Sequence, residues 1–281
     1  MTEVFQVLAA SPAQPTEATD WAGVTHPKDF ASPRIISLVP SLTELLCSLG
    51  LACHLVGRTG FCIHPRHVLR NVPKVGGTKN VNIERIKRLA PTHVIVNVDE
   101  NTRETALALR SVVPHVVVTH PLTVKDNLAL YALFGELFGA REKAAELSLA
   151  LTQRLDACKA RAEPLRGVLY LIWKDPYMTV SKDTYIADML LQGGMEQIGF
   201  DSKSRYPEID IKPAAARASA ILLSSEPYRF GSADQKALST DTAKPVLLVD
   251  GEMMSWYGSR AISGLDYVHV LKAELEKTLH G

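Results

Sequence analysis

At 281 residues, 46% apolar and 22% charged, the chain has the composition of an ordinary globular protein long enough to hold two cores. Its 31 Lys and Arg nearly cancel 30 Asp and Glu, which argues against a general field drawing in nucleic acid or an anionic membrane. No apolar run approaches the roughly 18 residues of a membrane span.

Residues 1–33 carry Pro12, Pro15, Pro27 and Pro33, so a tail is expected there, with one hairpin turning at Asp20 to Val24. The run RIISLVP (34–40) predicts a buried strand, and Ser41-Leu42-Thr43-Glu44 has the spacing of a capping box opening a helix to Leu49. Further strands are expected at 54–59, 93–98 and 115–120, with a short helix marked by Ile83, Ile86 and Leu89. Asp99, Glu100 and Asn101 suit the N-cap of a following helix. Residues 34–139 thus predict one α/β lobe.

From Arg141 to Glu163 the residues Ala144, Leu147, Leu151, Leu155, Cys158 and Ala162 recur every three or four, one stripe along a helix between the stops at Gly139 and Pro164. This segment (140–164) predicts a rigid connecting helix. The strand pattern then resumes at 167–173, 221–225 and 246–250, with helices near 185–191 and 263–279. Residues 165–281 therefore predict a second lobe. The expected fold class is α/β, two Rossmann-like lobes with parallel sheets joined by one long helix. Ligands of such sheets meet the loops at the carboxyl ends of the strands, so the expected site is the cleft between the lobes.

The ordered stretches RIISLVPSLTELLCSLG, GRTGFCIHP, VPKVGGTKNVNIERIKRLAP, VNVDEN, SSEPY and DGEMMSWYGSR resemble the helical-backbone metal-receptor superfamily. Within it they look like the cobalamin-binding, periplasmic-binding-protein-like group, over roughly residues 18 to 278. The resemblance implies two lobes on one backbone helix, a non-catalytic receptor and a corrinoid or related metal chelate as ligand, with no intrinsic cofactor. It also implies a monomer that serves the membrane component of an ABC importer. Phe61 and Trp256 fall in the loops that supply the family's aromatic walls, while Thr78 stands where the family has a first-lobe tryptophan. Glu84 matches a carboxylate that docks on the importer, and Asp210 is the nearest acid in the second lobe.

The residues themselves leave alternatives open. Trp256 and Tyr257, among Gly251, Ser255, Gly258 and Ser259, suit a loop wall against a flat ligand; capping the second core is the competing role. Glu226 follows a strand directly and is a candidate acceptor for ligand amides. Ser41, Arg58, Lys79 and Arg260 lie in or beside the predicted edge loops, where the cations suit ligand carboxylates or phosphates. Gly76-Gly77 predicts a tight turn. Cys62 and His64, with His54 and His120 as helpers, supply soft ligands for a transition metal, but a buried thiol and a backbone-bonded histidine explain the pair equally well. Besides a corrinoid receptor, the readings are a chelatase-like enzyme acting on a tetrapyrrole and a bare metal-ion binder. An acid where a signal peptide has positive charge predicts a cytoplasmic location, with a periplasmic one as the alternative if a leader lies upstream or has been removed. The cysteines at 47, 53, 62 and 158 form no C-x-x-C pair and are expected as free thiols.

Overall fold

The computed structural model describes residues 18–160 and 166–280. The chain forms two compact units: one takes the chain up to Pro121 with Lys125–Ala150 and Tyr257–Arg260, the other Leu122–Val124, Leu151–Trp256 and Ala261–Gly281.

In the first unit the elements run β1 (Ile35–Ser37), α1 (Pro40–Ser48), β2 (Leu55–Arg58), α2 (Arg66–Leu69), α3 (Ile83–Leu89), β3 (His93–Asn97), α4 (Arg103–Arg110), β4 (His115–Thr119) and α5 (Asn127–Phe138). The four strands are parallel in the order β2-β1-β3-β4. β1 and β3 are buried throughout, as continuous β-branched runs in a covered parallel sheet require. Ile36, Val94, Val96, Val116 and Val118 pack with Leu109 and Val113 on one side of it.

The predicted capping box does not form. Pro40 occupies the first turn of α1, where its missing N–H costs nothing, and Val39 is the N-cap without a side-chain acceptor. The predicted hairpin reduces to a turn closed by one bridge, Thr19 to Thr25, with Gly23 at φ +74°. Asp20 fixes that turn through Ala22 N and Val24 N and straps it to β4 through Val118 N. The rest of the predicted tail, residues 1–17, lies outside the described residues.

The long helix, α6, spans Arg141–Ala160, and the boundary between the units falls inside it, at Ala150 and Leu151. Ala144, Leu151, Leu155 and Cys158 of the predicted stripe are buried. The expected last turn, at 161–163, lies outside the described residues. Gly139 ends α5 in the left-handed region at φ +66°, as the sequence predicts.

The second unit holds β5 (Arg166–Trp173), β6 (Met178–Thr179), α7 (Tyr185–Gln192), β7 (Met195–Gln197), α8 (Ile211–Arg217), β8 (Ala220–Ser224), α9 (Ser232–Thr242), β9 (Val246–Val249), α10 (Gly251–Ser255) and α11 (Arg260–His280). Its core strands β5, β8 and β9 are parallel and so is β7, but β6 folds back antiparallel on the carboxyl end of β5. Residues Gly251–Ser255, expected as loop, form a short helix capped by Asp250. A Cβ at Gly251 would stand 2.5 Å from Ser224 Oγ and 2.9 Å from Glu226 N, so this glycine brings α10 against the end of β8.

Candidate functional site

Each unit presents a carboxyl edge of its own. In the first unit the loops after β2, β3 and β4 are tied into one rim. Gly76, at φ +113°, makes the predicted tight turn: a Cβ there would lie 2.4 Å from Asn80 O. Phe61 lies along this turn, with its Cε2 3.3 Å from where a Cβ of Gly77 would stand, and 63% of the side chain is exposed. A phenylalanine held by backbone and left open is a ready-made flat apolar face.

Polar links carry the rim onward. Asn101 Nδ2 donates to Thr78 O at 2.9 Å, Lys79 Nζ to Asp99 O at 2.6 Å, and Asp99 faces His120 at 3.6 Å. The expected cap at Asp99 to Asn101 is displaced, since Thr102 caps α4 by accepting from Thr105 N. Asn97 and Asn101 instead shape the loop, Asn97 Oδ1 accepting Asp99 N and Asn101 Oδ1 accepting Asn97 N.

Several predicted ligand contacts turn out to be internal fasteners. Arg58 is buried and donates to Leu69 O, Thr59 O and Cys62 O, so it holds the β2 loop. Arg260 makes a bidentate pair with Glu44 at 2.8 Å to each oxygen. Ser41 is buried in α1 beneath Gly258, whose φ of +89° strains any side chain and where a Cβ would lie a tight 3.1 Å from Leu45 Cβ and 3.3 Å from Ser41 O. Gly258 is fixed further by Asn127 Oδ1 and by the Tyr131 hydroxyl, and Tyr257 is buried beside it. The Tyr257–Arg260 segment is thus welded to α1 and α5.

Cys62 also faces inward. It is fully buried with its Sγ 3.1 Å from Thr59 Oγ1, and burial raises its thiol pKa, the reverse of what a thiolate ligand needs. His54 is bonded to Pro33 O, and His120 lies 3.6 Å from the Asp99 carboxylate. Among the described residues no group of three or more His, Cys, Asp or Glu is placed to hold a metal ion, so the structure does not assemble the Cys62–His64 centre.

In the second unit the exposed aromatic at the sheet's carboxyl edge is Trp173, the last residue of β5, with 40% of its surface open. It meets Tyr228 edge-on at 5.7 Å, and Tyr228 meets Phe230 at 4.7 Å. Lys174 pairs with Asp234 at 2.7 Å, which fixes the start of the β5–β6 turn on α9. Beside this ladder, where β6 turns back and α8 begins, lies an open cavity of about 620 Å³. Met178, Phe200, Tyr206, Ile209, Asp210 and Arg217 line it. Arg217 stacks 5.5 Å from the centre of the Phe200 ring.

Trp256, expected as a wall, is only 7% exposed and its indole N–H donates to Glu226 Oε1 at 2.7 Å. Ser255 Oγ donates to the same oxygen at 2.9 Å. Burial raises the Glu226 pKa against these two stabilising bonds. Glu226 is therefore a held carboxylate whose second oxygen has no hydrogen-bond partner among the described residues, and Trp256 is the post that holds it.

Two α/β units, each with an exposed aromatic at the carboxyl edge of its sheet, make up the chain. The family model described as periplasmic binding protein matches residues 35–247, and the chain belongs to that family. It is 25% identical over 202 residues to the vitamin B12-binding protein of Vibrio cholerae, covering 71% of this chain and 72% of that one. It is 26% identical over 251 residues to an ABC transporter substrate-binding lipoprotein, YvrC, of Bacillus subtilis, covering 83% and 77%. Among solved structures, the periplasmic vitamin B12 binding protein BtuF of Vibrio cholerae superposes with a TM-score of 0.74 at 21% identity, over 87% of this chain and 98% of that one. A periplasmic haem-binding protein of Pseudomonas aeruginosa gives 0.72 at 20% identity, over 85% and 92%. These findings make the chain a non-catalytic binding protein of the class III periplasmic type. They also overturn the cytoplasmic location expected from the amino terminus, since the family and these relatives are extracytoplasmic.

Proposed function

We propose that the chain binds a metal tetrapyrrole, a corrinoid or a haem, as the receptor of an ABC importer. The observation that carries this reading is the pair of exposed flat side chains at the carboxyl edges, Phe61 and Trp173, each seated on a rigid base. A tetrapyrrole presents two broad apolar faces and a polar rim; the first unit offers Phe61 with Lys79 and His120 along its own rim, and the second offers Trp173, with the open oxygen of Glu226 held after β8. The names borne by the vitamin B12- and haem-binding relatives support the same class. Lipoprotein YvrC supports the importer role, and Glu84, exposed on the first turn of α3, is the acid the resemblance assigns to docking.

Calorimetric titration with cobalamin, cobinamide, haemin and a ferric siderophore tests this. One tetrapyrrole is expected to bind with submillimolar or better affinity, and Phe61→Ala or Trp173→Ala to weaken it by about 10- to 100-fold. No tetrapyrrole binding below about millimolar, or affinities unchanged in both variants, overturns the reading.

A further inference from the structure

The near-neutral total charge hides a local imbalance. Residues 66–88 carry seven Lys or Arg and a single acid, Glu84, whereas the whole chain nets +1. Arg66, Arg70, Lys74, Arg85, Lys87 and Arg88 are all exposed, and none pairs with a carboxylate among the described residues.

The fold gathers these cations on one flank. Arg58, at the end of β2, takes Leu69 O on its Nε and Pro73 O on its N, while Val75 N returns to Arg58 O. Asn82 N then donates to Val75 O, which leads the chain into α3, and Leu89 of α3 packs over Gly57 of β2. Three stretches bearing the charges, α2, residues 70–75 and α3, thus converge on β2, an edge strand of its sheet. Nothing in folding favours this. Arg85 and Arg88 sit three apart on one helix, a repulsive spacing for like charges.

We propose that this flank docks on an anionic bilayer surface. None of the exposed large apolar side chains among the described residues falls within 66–88; the nearest, Phe61 and Ile63, precede it, and Phe61 lies on the Gly76-Gly77 turn at the carboxyl edge, so cations and not the aromatic or aliphatic anchors of a protein interface make up the stretch itself. Residues 66–88 also hold no Phe, Tyr or Trp on which nucleic-acid bases stack. Six long, exposed cations fit a fluid layer of phosphate headgroups. Each cation near such a surface raises partitioning roughly fivefold, and the effect fades as salt screens it. Docking of this kind places the receptor beside a membrane partner and does not depend on which ligand it carries.

The test is cosedimentation of the full chain with vesicles of phosphatidylcholine alone or mixed with phosphatidylglycerol, at low and high salt. Binding only to the mixed vesicles, released by salt, is expected. The Lys74→Glu/Arg85→Glu/Arg88→Glu variant should lose binding by on the order of a hundredfold or more. A control variant, Arg110→Glu/Lys236→Glu/Lys277→Glu, has the same net charge and should bind nearly as the parent does. Circular dichroism, with the corresponding glutamine variant, separates lost docking from lost fold. Equal binding to both vesicle types, equal loss in both charge variants, or absence of vesicle binding alongside capture by polyglutamate each overturns the proposal; the last would make the face a protein-docking site.

Discussion

His93 enters the first unit's interior as a neutral imidazole, and its surroundings hold it there. Its Nδ1 is 2.8 Å from Thr92 Oγ1, its Nε2 is buried without a partner, and Phe30 and Phe138 meet the ring edge-on. His115 stacks on it at 4.7 Å, and His26, bonded to Asp20, lies edge-on to His115. Desolvation, followed by the charges of His115 and His26, lowers the His93 pKa to about 3. The unfolded chain therefore takes up a proton near the ordinary histidine value of about 6.5 that the native state refuses until about 3. Stability contributed by the neutral ring is complete above that window and lost as pH falls through it, by roughly 2–3 kcal/mol between pH 7 and 4.5. Urea melts across this range should show the slope, and His93→Phe should flatten it; an unchanged slope would remove His93 as its source. Glu226 makes the opposite shift. Its raised pKa means that the carboxylate protonates sooner than usual on acidification, so binding through its open oxygen should weaken as pH falls through that raised value. Glu226→Gln should bind more weakly but without this pH dependence, measured by calorimetry at several pH values.

Among the elements, α6 offers the most direct check. Leu151 is fully buried on its stripe, so Leu151→Ala should cost about 2–5 kcal/mol in chemical denaturation. Gly135 of α5 lies so close to α6 that an added Cβ would stand 2.8 Å from that of Ala144, and Gly135→Ala should cost about 1–3 kcal/mol by overpacking. What the sequence revealed depended on how one-sided each element is. Buried parallel strands announced themselves as β-branched runs, and the α6 stripe and the Gly139 stop were plain. By contrast, α5 is apolar on nearly every side because it is buried, which erases the helical period, and β6 and β7 are too short to show any. The site was legible in the same measure. Phe61 was marked only by the resemblance of its loop to the family's, and the glycines around Trp256 were read as openness when Gly251 and Gly258 serve close packing. Trp173, at the carboxyl end of the predicted 167–173 strand, was placed at an edge but not singled out, since an aromatic ending a strand looks the same whether its neighbours cover it or leave it bare.

For the molecule as a whole, the consequential fact is where the chain divides. The boundary cuts through one continuous helix, α6, so unfolding either unit strips half of that helix of its packing. Helical hydrogen bonds propagate cooperatively, and losing half of a 20-residue helix to solvent weakens the other half. The Tyr257–Arg260 segment adds a second tie: it belongs to the first unit through Asn127, Tyr131 and Glu44, yet it connects α10 to the rest of α11 in the second. The two cores are therefore expected to melt together rather than in sequence. The tryptophans allow each to be watched separately, because Trp21 lies in the first unit and Trp173 and Trp256 in the second. In the Trp173→Phe/Trp256→Phe variant the fluorescence reports the first core, and in Trp21→Phe it reports the second. Once each is referred to the variant's own circular dichroism, the urea midpoints of the two signals should coincide with the loss of helix. Separated midpoints in either variant would mean that α6 links two independently folding units instead of coupling them. Leu151→Ala makes the distinction sharper: Leu151 is counted in the second unit, so under coupling its truncation should lower the midpoint reported by Trp21 as much as that reported by Trp173 and Trp256.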